Sequence, residues 1–165
     1  MRRGKLAAAF GLALLAVACA KNNQAGGPGG AGGYGAGGSA GTPGSQQDFV
    51  VNVGDRVFFE TDSTDLTPQA RATLDKQAQW LARYPNYPVT VEGHADERGT
   101  REYNLALSAR RGQVVRDYLA SRGVNAGRLR TISYGKERPV AVCDDISCWS
   151  QNRRGVTVLG GGAGS

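Results

Sequence analysis

The sequence predicts an α+β domain: two helices laid on a mixed four-stranded sheet as a two-layer sandwich, in the order β-α-β-α-β-β. Three observations predict it. Four short runs carry the β-branched and aromatic residues of strands. Two longer stretches repeat apolar residues at helical spacing. Finally, 11 of the 25 glycines in this 165-residue chain fall between Gly26 and Gly44, where no core can form. The folding part therefore lies downstream, from Asp48 to Leu159, and its 112 residues suffice for one core.

The elements follow in order. Arg56-Val57-Phe58-Phe59-Glu60 reads as the first strand. Thr67-Pro68 supplies an N-cap followed by proline at the first helical position. Ala70, Leu74, Ala78 and Leu81 then recur at helical spacing, so a helix runs from Pro68 to Arg83 and Pro85 and Pro88 stop it. Val89-Thr90-Val91-Glu92 alternates as a second strand and ends at Gly93. A second helix spans Arg101 to Arg122 and is closed by Gly123. Leu129 to Tyr134 is a third strand, Gly155 to Leu159 a fourth, and the glycine-rich end from Gly160 to Ser165 reads as frayed.

Upstream of the domain, Met1 to Lys5 carries three positive charges and Leu6 to Ala18 is a 13-residue uncharged run. That run is shorter than the ~20 apolar residues a bilayer span needs, and with its charged start it reads as an export signal. The run ends Leu14-Leu15-Ala16-Val17-Ala18-Cys19, which resembles the lipobox of bacterial lipoproteins, with Ala16 where a larger aliphatic is usual. Residues 1–18 are then the signal peptide and Cys19 the lipidated residue. Ala20 after it favours the outer membrane, and two or three acyl chains anchor a protein stably. From Cys19 to Gln47 the chain is a tether. Its 28 residues beyond the cysteine would have an end-to-end distance of roughly 30 Å as a coil and could reach about 95 Å extended.

Charge excludes one class of partner. The formal +6 falls to +3 without the first 18 residues, and to +2 between Asp48 and Leu159, with 16 basic and 14 acidic residues. A domain that neutralises phosphates usually carries a larger, clustered excess, so no nucleic-acid partner is expected. Nor is a polytopic membrane protein.

The second helix holds the informative anomaly. On a wheel of about 100° per residue, Tyr103, Leu107, Val114 and Tyr118 form an apolar stripe, and Arg111 falls inside it, with Asn104 and Ser108 on the same flank. Arg110 sits at the margin and reaches water. A core-facing arginine is costly unless paired, so Arg111 needs an acidic partner or an anion from outside. The nearest acidic candidates lie in His94-Ala95-Asp96-Glu97-Arg98-Gly99-Thr100, a loop that leaves a strand and enters a helix N-terminus. Two readings stand side by side. Asp96 and Arg111 brace the loop as an ion pair, or they grip a zwitterion, Asp96 taking its ammonium and Arg111 its carboxylate through two parallel hydrogen bonds.

Gly93-His94-Ala95-Asp96-Glu97-Arg98-Gly99-Thr100, Glu102-Tyr103-Asn104 and Leu107-Ser108-Ala109-Arg110-Arg111 together resemble the OmpA-like peptidoglycan-binding domain family. Ser133-Tyr134-Gly135-Lys136-Glu137-Arg138-Pro139, Gln151-Asn152-Arg153-Arg154 and Phe58-Phe59 followed by Asp62 and Asp65 extend the match, and the fuller match is to its lipid-anchored members. The resemblance implies a ligand, the diaminopimelate-bearing peptide stem of peptidoglycan. It assigns Asp96 and Arg111 to the grip, and Asn104, Leu107, Thr100, Thr61 and Asp62 to the pocket. It also implies partnership with the periplasmic propeller protein TolB and other Tol proteins in envelope constriction at cell division. Gly112 and Gly155 depart from the pattern, replacing alanines usual after the two Arg-Arg pairs.

Other chemistry is thin. Cys143 and Cys148 enclose four residues, and in an exported protein a disulfide is the first reading. A zinc site would need further ligands, and His94 is the only histidine; no metal and no cofactor is expected. His94 is placed at the pocket edge as a hydrogen-bonding residue. No nucleophile, base and orienting group come together, so no catalytic residue is expected. The alternative is a wall-active hydrolase using Asp96 and Glu97 as a carboxylate pair. No oligomerisation surface is legible, and a monomer is expected.

Overall fold

The computed structural model describes residues 41–160. The signal segment, Cys19, the tether up to residue 40 and the tail beyond residue 160 lie outside the described residues. A helical turn α1 (Gln46–Asp48) runs directly into a five-residue π-helix (Phe49–Val53). Strands β1 (Arg56–Phe58), β2 (Val89–Gly93), β3 (Leu129–Ser133) and β4 (Arg154–Leu159) form one sheet in the order β1-β4-β2-β3. The last strand is inserted antiparallel between β1 and β2, and β2 pairs parallel with β3. A parallel pair needs a crossover, and α3 (Arg101–Ser121) supplies it, while α2 (Pro68–Arg83) joins β1 to β2. The core lies between these two helices and the sheet, around Val57, Leu74, Leu81, Val89, Val91, Val115 and Leu119.

The helix ends are written locally. The Thr67 hydroxyl accepts from the Ala70 N–H and Pro68 follows it, so α2 starts where a cap and a proline coincide. Thr100 caps α3 in the same way, accepting from the Tyr103 N–H. That helix stops at Gly123, at φ +94°, where the Val124 N–H reaches back to the Leu119 carbonyl.

Three local expectations change. The buried face of α3 is Asn104, Leu107, Ser108, Arg111, Gly112, Val115 and Leu119, so the stripe is rotated from the one apolar residues alone marked. Tyr103 is exposed and Val114 and Tyr118 are only half-buried. The cause is close packing: a Cβ on Gly93 would sit 1.8 Å from the Ser108 carbonyl oxygen, so helix backbone lies directly against the end of β2. Where the helix touches β2, that face carries the small residues Ser108 and Gly112.

The second change is at the start of the domain. Its ordered packing begins before Asp48: the Tyr87 hydroxyl donates to the Gly44 carbonyl and the Trp80 indole to the Asp48 carboxylate. Phe49 is buried against Trp80, with ring centroids 4.9 Å apart. The third is a short helix, α4 (Ile146–Asn152), between β3 and β4, capped by Asp145 and joined to the preceding loop by the Cys143–Cys148 disulfide.

Candidate functional site

The C-terminal end of β2, the loop from His94 to Thr100, the first turns of α3 and the turn after β1 converge on one cavity of about 390 Å³. Six of the seven ligand-binding residues expected from sequence line it: Thr61, Asp62, Asp96, Asn104, Leu107 and Arg111. Thr100 does not; its hydroxyl is committed to the helix cap. Sequence reasoning gave no role to three further lining residues, Arg98, Gly99 and Tyr103.

Arg111 is fully buried, and its guanidinium lies 5.1 Å from the centroid of the Phe59 ring. Its partners are main-chain carbonyls. Nε donates to Ser63 at 2.9 Å, one terminal nitrogen to His94 at 3.1 Å and the other to Glu60 at 3.1 Å. These bonds tie the turn after β1 to the end of β2. Among the described residues no carboxylate forms an ion pair with it. Burial pushes its pKa down to about 10, opposed by the nearby charge of Asp96, so the group stays cationic at neutral pH. Each terminal nitrogen keeps a second N–H.

Asp96 has different partners from those the loop-bracing reading supposed. Arg98 grips it side-on, Nε to Oδ1 at 3.2 Å and a terminal nitrogen to Oδ2 at 2.7 Å, and the Arg98 main-chain N–H adds a bond to Oδ1 at 3.1 Å. The buried Arg153 reaches Oδ2 from behind at 3.3 Å. Burial alone would raise the carboxyl pKa; the bonds from Arg98 and Arg153 outweigh it and hold Asp96 below the usual carboxylate range. Asn104 fixes the loop, its amide donating to the Arg98 carbonyl at 2.7 Å. Across the cavity the Tyr103 hydroxyl donates to Asp62, which sits at φ +57° in the turn after β1.

His94 does not stand at the pocket edge. It is buried beside the cavity, not lining it. Its Nδ1 accepts from Arg154 and its Nε2 faces Glu92, each at 3.3 Å, which assigns the ring proton to Nε2. Burial, then the charges of Arg154, Arg138 and Arg56, push its pKa down to about 4. The ring stacks on Tyr134, and the site uses only its main-chain carbonyl. Among the described residues no group of His, Cys, Asp and Glu is placed to hold a metal.

The mixed-sheet domain thus carries one cavity lined by a buried cation, Arg111, and a shielded carboxylate, Asp96, the features of a ligand-binding module. The family model described as OmpA family matches residues 58–153, more than half of the chain, and the chain belongs to that family. It is 78% identical over 123 residues to the peptidoglycan-associated lipoprotein of Rhizobium meliloti (strain 1021), a match covering 74% of this chain and 69% of that protein. It is 60% identical over 159 residues to the peptidoglycan-associated lipoprotein of Brucella melitensis biotype 1, covering 96% and 94%. Among solved structures, the peptidoglycan-associated lipoprotein from Burkholderia pseudomallei superposes with a TM-score of 0.62 at 40% identity, over 64% of this chain and 90% of that one.

Proposed function

We propose that this chain is an outer-membrane lipoprotein whose periplasmic domain binds the diaminopimelate-bearing peptide stem of peptidoglycan without covalent chemistry. It would tether the membrane to the wall within a Tol-Pal system, with TolB as a partner, in envelope integrity and constriction at cell division. The observation that carries the binding reading is Arg111: a buried cation with no carboxylate partner among the described residues, bordering a cavity that Asp96 also lines. The free end of diaminopimelate bears an ammonium and a carboxylate on one carbon, which matches that pair of charges. The relatives' shared name, peptidoglycan-associated lipoprotein, supports peptidoglycan as the larger ligand.

The hydrolase reading is weaker on chemical grounds. A general acid needs a carboxyl whose pKa is raised, whereas Asp96 is lowered and held by two guanidiniums. Glu97 accepts the Trp149 indole N–H at 2.8 Å, away from the cavity lining. The test is co-sedimentation of the full chain, in detergent, with purified sacculi. Pelleting without released muropeptides is expected; soluble fragments would establish hydrolysis, and failure to pellet would end the binding reading.

A further inference from the structure

We infer that Arg98 is a built-in competitor for the ligand's ammonium group, seated on Asp96 and released from it, still stacked on Trp149, when a zwitterion binds. The inference rests on the Asp96–Arg111 reading above. Both oxygens of the Asp96 carboxylate are already engaged: Oδ1 by the Arg98 main chain and Nε, Oδ2 by Arg98 and Arg153. An incoming ammonium must therefore displace a donor.

The donor that yields is the Arg98 side chain. Arg153 is 5% exposed and its Nε is tied to the Phe59 carbonyl at 3.0 Å. The Arg98 main chain is pinned through its carbonyl by Asn104. The Arg98 side chain, by contrast, is 40% exposed. It also keeps a second partner when it leaves, because its guanidinium already lies 4.2 Å from the centroid of the Trp149 ring. Trp149 sits on α4, the helix tied back by the Cys143–Cys148 disulfide, and its indole N–H is held by Glu97. Leaving Asp96 costs Arg98 its paired bonds and not its cation–π contact.

Specificity follows. Exchanging one cation for another on Asp96 gives little net gain, so a plain amine competes poorly. A ligand that also delivers a carboxylate to the spare N–H groups of Arg111 gains a second charge-assisted contact. Arg98 thereby weakens every ligand that must seat an ammonium on Asp96, and a zwitterion recovers the loss through Arg111.

The experiment compares the full chain and its Arg98→Ala and Arg98→Gln variants by calorimetric titration. Three probes are used: the stem tripeptide L-Ala-D-Glu-meso-diaminopimelate, the same peptide with lysine as third residue, and the same peptide lacking the terminal amine. Removing a half-exposed pair should tighten the first two roughly three- to tenfold while leaving the amine-free peptide no tighter. Arg98→Gln should follow Arg98→Ala, with melting curves confirming that both variants fold. Weaker binding of all three probes by both variants would make Arg98 a ligand contact and overturn the inference, as would an unchanged ratio between the amine-bearing peptides and the amine-free one. Failure of the unsubstituted chain to bind any probe would instead defeat the Asp96–Arg111 reading, and this inference with it.

Discussion

Replacing Arg111 by alanine tests whether one side chain braces the cavity as well as serving it. The perturbation removes three donors from the carbonyls of Ser63, His94 and Glu60, together with the contact on Phe59. A buried carbonyl left without a donor costs roughly 1–3 kcal/mol, and relaxation or water entry recovers part of it, so a loss of about 3–5 kcal/mol is expected. That is a large share of a typical domain's stability, ~5–15 kcal/mol. At ~4 °C per kcal/mol, the melting temperature should fall by roughly 12–20 °C. Arg110 is exposed, and Arg110→Ala should stay within about 0.5 kcal/mol. Both variants lose the same formal charge one position apart, so long-range electrostatics predicts equal effects. Circular dichroism melts give the stability difference. Binding is measured separately with sacculi at a temperature where both variants are folded, and there Arg111→Ala should lose tens-fold or more in affinity, as expected for about 2–5 kcal/mol of a sheltered charge pair. Superimposable melts of Arg111→Ala and Arg110→Ala would refute the bracing argument.

Further expectations concern other parts of the chain. His94 has a folded pKa near 4 against 6.5 when free, so the unfolded state takes up the proton first as pH falls. Its contribution is fully present above about pH 6.5 and lost progressively down to about pH 4, amounting to about 3 kcal/mol; chemical denaturation across that window should show stability rising with pH, and His94→Gln should flatten the slope. A Cβ on Gly112 would make only ordinary contacts, at 3.6–3.8 Å, so Gly112→Ala should stabilise the domain by about 0.5–1 kcal/mol in a denaturant titration, whereas Gly93→Ala should not fold normally. The exported protein should show two fewer free thiols before reduction than after it, through Cys143 and Cys148. Cys19→Ser should abolish membrane association in a fractionation experiment, and equal association would refute lipidation at that residue.

What the sequence disclosed divides along physical lines. Helix α2 runs from Pro68 to Arg83 in both the sequence reading and the structure, because its cap, its first-turn proline and its terminating prolines are all local. The sheet strands agree within a residue or two for the same reason. The segment around Val50-Val51-Asn52-Val53 carries the β-branched residues of a strand and becomes a π-helix, held by Trp80 from a distant helix. Helix α4 buries only Cys148 and Asn152, too few for an apolar period to register. The buried face of α3 was misjudged because its closest approach to β2 is made by Ser108 and Gly112, residues that hydrophobicity does not mark. At the site, Arg111 was legible as an anomaly on its helix, and Asp96 as the nearest acidic candidate and through the family motif. Their partners were not: Arg153 lies 57 residues from Asp96, and Arg111 donates to backbone carbonyls that carry no side-chain signal. Only Arg98 left a trace, two residues after an aspartate at the entry of a helix.

The dual use of Arg111 explains why the cavity exists before a ligand arrives. The turn after β1 and the end of β2 would each leave carbonyls without a donor; the guanidinium joins them and keeps a second N–H on each terminal nitrogen. A lysine at this position would bring one point charge on a flexible stem, serve fewer carbonyls, and tend to lose its proton on burial. Arginine, even lowered to about 10, remains charged through the physiological range. On the proposed reading, the side chain that joins the two walls is also the one that takes the ligand's carboxylate, and binding need not first assemble the site. Substitutions that loosen the turn at Glu60–Ser63 should then weaken binding even where they touch no ligand.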